Sequence, residues 1–278
     1  MTIYRSDEGR RALQDWCRQR LAAWDHPHRS TTVPTPIGTT HVVTTGSGPD
    51  LVLVPGTNFA AATWLDLVAA LSDRYTVHAL DLPGQPGLSA DDRIRGGSKR
   101  HGEWLAAVLT GLGLDRPTVV GHSLGAVGAL RGAAAGAHAD RLVLLDPAGL
   151  MRLTVSAAVL RPTLPWLRAP NVVTSANLLR MMMAPGAEPD HDLVMWMTLV
   201  GQHVKTSLAP GPVAPQDLRR LRDTPIRIVS GGHDAFLPPT RLRRAAARRL
   251  PTAELEIVAD AGHLLPHERP DTVLAALA

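Results

Sequence analysis

A mostly parallel β-sheet flanked by helices, interrupted late by a helical insertion, is the α/β fold class that this chain of 278 residues predicts. Three observations carry that expectation. Short apolar, β-branched runs alternate with segments of helical periodicity, the rhythm of parallel strands joined by crossover helices. Gly121, His122, Ser123, Leu124 and Gly125 stand between such a run and a small-residue helix, and fit the G-x-S-x-G turn that lifts a serine hydroxyl above a sheet edge. The interval 150–222 breaks the alternation and offers no convincing strand. At this length one core bearing an insertion is expected rather than two domains. The expected division is 1–149 for the first part of the core, 150–222 for the insertion and 223–278 for the rest.

Taken in order, Ser6 is a candidate N-cap, and Leu13, Trp16, Cys17, Leu21 and Trp24 recur at helical spacing until Pro27. Thr31–Val33 and His41–Thr45 flank a Pro36, Ile37, Gly38 turn and read as a hairpin. Leu51–Val54 is the first fully buried strand candidate. Tyr75–Leu80, Pro117–Val120, Arg141–Leu145, Ile226–Ser230 and Leu255–Val258 follow, and their apolar character fits strands covered on both faces. The insertion carries Trp166, the run Met181, Met182, Met183 and the run Met195, Trp196, Met197 among prolines. Trp166, Met182 and Trp196, with Asn58 from an earlier loop, are its candidate pocket residues, because methionine and tryptophan line adaptable apolar sites.

Composition excludes several functions. No stretch is long and apolar enough to span a bilayer, and the first residues lack a signal peptide's apolar region, so a cytoplasmic protein with no membrane partner is expected. The lone Cys17 cannot form an internal disulfide and reads as core filler. The 12 histidines show no metal-ligand spacing, and no metal site is expected. A net charge of +4 without a clustered basic motif speaks against nucleic acid. The run GHSLGAVG lacks the G-x-G pair of a dinucleotide-binding turn.

A serine in such a turn needs a histidine to take its proton and an acid to orient that histidine. In elbow-type hydrolases the chain order is serine, acid, histidine, with the last two on loops after late strands. Asp234 follows IRIVSGG and His263 follows LEIVADAG. Asp146 is the rival acid, ending the strand LVLLD, and His267, His233 and His122 are rival bases.

PGTNFAAATW at 55–64, DLPGQPGLS at 81–89, GHSLG, SGGHDAFLPP at 230–239 and AGHLLPHERP at 261–270 occur in one joint order. In that order the chain resembles the α/β-hydrolase-fold serine hydrolases over nearly its whole length except the insertion, most of all lid-bearing carboxylesterases of the carboxylesterase NP type. The resemblance implies Ser123 as nucleophile, Asp234 as acid and His263 as base, cleaving an ester or thioester of an apolar acyl group through an acyl-enzyme without a cofactor. Two departures stand out: Pro55-Gly56 opens the oxyanion loop where many relatives have His-Gly, and the 81–89 loop has an extra residue around Gln85 and Pro86. Oxyanion donors are then the backbone N–H groups of Leu124 and Thr57, with Asn58 as the alternative to Thr57. The alternative reading is an acyltransferase or thioesterase fed by an acyl-carrier protein or coenzyme A, for which Arg241, Arg244 and Arg248 share a helix face. A non-catalytic binding member of the fold ranks last, since every triad residue type is present.

Overall fold

Residues 2–92, 97–205 and 211–278 are described in a computed structural model, so positions 206–210 of the expected insertion lie outside the described residues. The chain opens with α1 (Asp7–Ala22), capped by Ser6, whose side chain accepts from Gly9 N–H at 3.1 Å. The hairpin β1 (His28–Thr35) and β2 (Gly38–Thr45) follows, longer at both ends than the apolar residues alone indicate. Its turn holds because Gly38 adopts φ 108°, a left-handed value that glycine takes without steric cost. Next come β3 (Asp50–Val54), a 3-10 turn at Ala61–Thr63, α2 (Leu65–Ser72), β4 (Thr76–Leu80), α3 (Gly97–Gly111), β5 (Thr118–His122), α4 (Leu124–Ala134) and β6 (Arg141–Leu145). Between β6 and the next strand run α5 (Ala157–Arg168), α6 (Val172–Met182), α7 (His191–His203) and α8 (Pro215–Arg219). The chain closes with β7 (Ile226–Gly231), α9 (Pro239–Arg249), β8 (Glu254–Val258), α10 (Leu265–Glu268) and α11 (Pro270–Ala276).

The strands form one eight-stranded sheet in the order β1-β2-β4-β3-β5-β6-β7-β8. Among these strands of the described residues, only the β1–β2 and β2–β4 pairs are antiparallel. The chain turns one way from β3 to β4 and the other way from β4 to β5, so β3 is flanked by both. Loops leaving the carboxyl ends of β3 and β5 therefore meet at a topological switch point, where α/β sheets bind their ligands.

Side chains alternate between two cores, as the pleat requires. Leu51, Leu53, Val120, Val143 and Leu145 face α1, α2, α7 and α11. Val52, Val54, Val119, Leu142 and Leu144 face α3, α4 and α9. Cys17 is wholly buried in the first core, as filler, and burial raises its thiol pKa well above the ordinary value. At the sheet's far edge Glu254 and Glu256 turn outward and Glu256 accepts from Arg227 at 3.0 Å, charges that discourage further strand pairing. No described helix is long and apolar enough to cross a membrane.

Near the site the sheet is packed to the backbone. A Cβ on Gly231, the last residue of β7, would overlap the carbonyl oxygens of Ala261 and Gly262 in the loop after β8. Gly231→Ala is expected to lower stability by about 1–3 kcal/mol, the usual cost of overpacking, measured by urea unfolding. It should also lower activity in the molecules that remain folded, because the displaced loop carries His263.

Candidate active site

Ser123 sits at the β5–α4 junction with φ 48° and ψ −109°, outside the regions a side chain normally occupies. Its neighbours explain why the chain accepts this. A Cβ on Gly125 would run into the carbonyl oxygens of Val54 and Pro55, and one on Gly121 would lie 2.7 Å from Ala126 N. Ser123 N–H donates to Leu145 O at 3.0 Å, tying the turn to β6.

The loops after β7 and β8 bring Asp234 and His263 to the serine. His263 Nδ1 lies 2.7 Å from Asp234 Oδ2, and Nε2 lies 3.1 Å from Ser123 Oγ. With Nδ1–H donating to the Asp234 carboxylate, the bare Nε2 accepts from the serine hydroxyl. Asp234 is itself fixed, since its Oδ1 accepts from Phe236 N at 2.7 Å and Leu237 N at 2.9 Å. Burial pulls the His263 pKa down, yet the charge and hydrogen bond of Asp234, helped by Asp146 and Glu268, leave it above the ordinary value. Such a line of groups can take a proton from the hydroxyl and return it to a leaving group.

Asp146 follows β6 at φ 42°, wholly buried, and its carboxylate binds the end of β7 and the start of α10. Oδ1 accepts from Ser230 Oγ at 3.0 Å and Gly231 N at 2.8 Å, and Oδ2 accepts from Leu265 N at 3.3 Å. Burial and the neighbouring Asp234 push its pKa up to about 7. Ligand atoms of Asp146, Asp234 and His263 lie within 4.8 Å of one another, but their hydrogen bonds already account for the cluster.

The other histidines stand apart from the serine hydroxyl. His122 turns away from the cleft and donates from Nε2 to His263 O at 2.8 Å, while burial holds its pKa well below the usual value. His267 packs against Phe59 with ring centres 5.6 Å apart, and burial pushes its pKa down to about 4. His233 is exposed.

On the opposite side the loop after β3 approaches the elbow, and a Cβ on Gly56 would lie 3.3 Å from Ser123 Cβ. Among the described residues the N–H groups of Thr57 and Leu124 make no hydrogen bond. Asn58 N–H is occupied by Gln85 Oε1 at 2.9 Å, which leaves Thr57 N–H the freer of the two expected alternatives. Gln85 lies in the 81–89 loop, where the extra residue is expected around Gln85 and Pro86. Its presence was visible in the sequence, but its partner lies 27 positions away and no local pattern links them.

The candidate pocket residues separate into two groups. Asn58 adjoins the site, and Met182 O accepts from His263 N–H at 2.6 Å. Trp166 and Trp196 are packing groups instead. Trp166 is buried between α5 and α7 with Nε1 donating to Met197 O at 3.1 Å, and wholly buried Trp196 donates to Asn58 O at 2.7 Å beneath the loop. Indole area and a satisfied N–H make both more useful as wedges than as an accessible wall. Glu268 adds a further tie that spacing did not reveal: Oε1 accepts from Ala184 N at 2.6 Å and Oε2 from Gly262 N at 2.9 Å, stapling the end of α6 to the histidine loop.

Residues 51–276 match the α/β hydrolase family. The chain belongs to that family. This hydrolase is 27% identical to an uncharacterized carboxylesterase of Bacillus subtilis, over 96% of this chain and 91% of the relative. It is also 27% identical to the carboxylesterase YbfK of Bacillus subtilis, over 92% and 88% of the two chains. The crystal structure of naproxen esterase (carboxylesterase NP) from Bacillus subtilis superposes with a TM-score of 0.82 at 25% identity, covering 98% of this chain and 97% of that one.

With His263 as the base, the kcat/KM profile of the hydrolase should rise with pH through a limb above the ordinary imidazole value of about 6.5, because the imidazole would have to be neutral to accept a proton. Removing the Asp146 charge with Asp146→Asn destabilises the imidazolium, so this limb moves to lower pH with a modest loss of rate; Asp234→Asn instead costs on the order of 10⁴-fold in kcat. Steady-state kinetics from pH 5 to 9 check both, and the reverse ranking in folded variants would make Asp146 the orienting acid. Gln85→Ala frees Asn58 and loosens the loop, so kcat should fall about tenfold, less than the ~100-fold typical of losing an oxyanion donor, with little change in Tm.

Proposed function

We propose that this chain is an ester-cleaving serine hydrolase in which Ser123 is the nucleophile, His263 the general base and Asp234 the orienting acid. The observation that carries the reading is the hydrogen-bonded line from Asp234 through His263 to a serine held at φ 48°. Kinship with carboxylesterases over nearly the whole chain supports the ester as the bond attacked. Ser123 Oγ adds to the carbonyl carbon while His263 Nε2 takes its proton. The resulting oxyanion is met by the N–H groups of Thr57 and Leu124, the first of which extends from a loop and the second from the N-terminus of α4, where donors are unpaired. His263 then protonates the departing alkoxide, and the same base activates water to release the acid from Ser123. This chemistry calls for no cofactor.

The substrate in this reading is a small-molecule ester with an apolar acyl group. Phe236 stands edge-on to His263 with ring centres 4.9 Å apart, an aromatic neighbour beside the base that supports an apolar substrate. Residues 150–222 act as a cap over the carboxyl edge of the sheet, a role supported by the bonds from His263 to Met182 and from Trp196 to Asn58. A carrier-borne thioester is the second reading: Arg241, Arg244 and Arg248 are exposed along α9, and Arg241 donates to Thr154 Oγ1 at 2.7 Å beside the start of the cap. An acidic carrier would meet that face with complementary charge.

A fluorophosphonate probe is expected to label the intact protein once, on the peptide containing Ser123, as read by mass spectrometry. Ser123→Ala should abolish both the label and turnover of a chromogenic ester. Labelling at another serine, or undiminished turnover in the alanine variant, would sink the assignment.

A further inference from the structure

Every large hydrophobic residue that is exposed among the described residues falls within one stretch of 19 positions in the proposed cap: Val155 at 71%, Leu160 at 40%, Leu164 at 40%, Val172 at 48% and Val173 at 67%. The rest of the described surface shows none, so the clustering is a property of this segment. Soluble surfaces bear scattered apolar residues without consequence, but a contiguous group marks an interaction site.

The helices show how the patch is made. On α5, Val159 and Trp166 are buried at i, i+7 spacing and hold the helix to the body. Leu160, Arg161, Leu164 and Arg168 recur at i, i+1, i+4 and i+8 on another face, and all four are exposed. Val172 and Val173 are exposed at the start of α6, which packs against α5 and is anchored inward by Ser175, Leu178 and Leu179.

Charge identifies the occupant. From Pro147 to Ala187 the chain contains no aspartate or glutamate, while it contains Arg152, Arg161, Arg168 and Arg180. Arg180 is engaged by Glu188 at 2.8 Å. No ion pair is formed by Arg152, Arg161 or Arg168 among the described residues, and all three are exposed. A second copy seated symmetrically on this face would bring arginine against arginine. An anionic lipid surface would instead accept the leucine and valine side chains among its acyl chains and the guanidinium groups among its headgroup phosphates.

We propose that the outer face of α5 and the start of α6 dock this protein on an anionic lipid–water interface. The helix lies in the plane of the interface, so the absence of a membrane-spanning stretch, which led to the expectation of no membrane partner, does not bear on it. Docking there would set the cap, and the site beneath it, beside amphiphilic esters held in the same surface. The proposal stands whether or not Ser123 is the nucleophile.

The test is flotation of the full chain with vesicles of phosphatidylglycerol and phosphatidylcholine, and with vesicles of phosphatidylcholine alone, over a salt series. Two variants accompany it, one carrying Leu160→Ser, Leu164→Ser and Val173→Ser, the other Arg152→Gln, Arg161→Gln and Arg168→Gln. Binding to the anionic vesicles at low salt is expected, falling with added salt, and each variant should reduce it by about tenfold or more. All substitutions are at exposed positions outside the site, so turnover of a short water-soluble ester should match the parent and report that both variants are folded. No binding to anionic vesicles, or equal binding by the parent and the arginine variant, overturns the proposal. So does a concentration-dependent dimer in sedimentation velocity that the apolar variant disperses, which would assign the face to a second copy. Failure of the parent to hydrolyse any ester, with docking intact, would count against the esterase reading alone.

Discussion

The close approach of α4 to β3 sets the terms for the rest of the site. Gly125 lies against the Val54 and Pro55 carbonyls, with no room for a side chain, so the turn before it must be sharp and Ser123 must take a left-handed backbone conformation. Strain of this kind costs on the order of 1–3 kcal/mol and survives only where surrounding contacts fix it. Here they do, through the Ser123 bond to Leu145 and the packing of α4 into the second core. The same sharpness leaves Leu124 N–H unpaired at the start of the helix and aims the serine hydroxyl at His263.

Precision on the other side of the serine depends on two carboxylates that do not touch it, Asp146 fully buried and Glu268 half-buried. Asp146 binds the end of β7 and the start of α10, and so holds the acid loop and the histidine loop at a fixed separation. Glu268 binds the histidine loop to the end of α6. Each uses both oxygens on backbone donors, the arrangement that makes burial of a carboxylate tolerable. Asp146 also adds negative charge near the imidazole, so its positioning and its electrostatic effect act in the same direction.

The sheet was legible in the sequence because its strands are short apolar runs with distinct boundaries, and all eight candidate runs occupy strands of the observed sheet. The meeting of Ser123, Asp234 and His263 was readable from chain order, since parallel topology delivers every such loop to one edge. Asp146 reads from the sequence as a rival acid, but its part in holding two loops depends on contacts 84 to 119 positions away, and no periodic pattern records them. The tryptophans failed as pocket markers for a related reason: residue type told that Trp166 and Trp196 would be buried against something apolar, and only the fold decided that the partners were Met197 and the Asn58 loop. The exposed leucines and valines of α5 and α6 were unreadable because an amphipathic period does not say which neighbour covers it.

The bond from His263 N–H to Met182 O places the base and the end of α6 on one mechanical linkage. α6 lies at the margin of the first core and is tied to the histidine loop by backbone hydrogen bonds, and such marginal elements open at lower free energy than the central strands. When α6 lifts, the histidine loses a backbone partner at the same moment that Glu268 loses Ala184. Heat would thus silence the enzyme before it melts the sheet, and the inactivation temperature would measure the hold of the helices on one loop, while the calorimetric transition would measure the core.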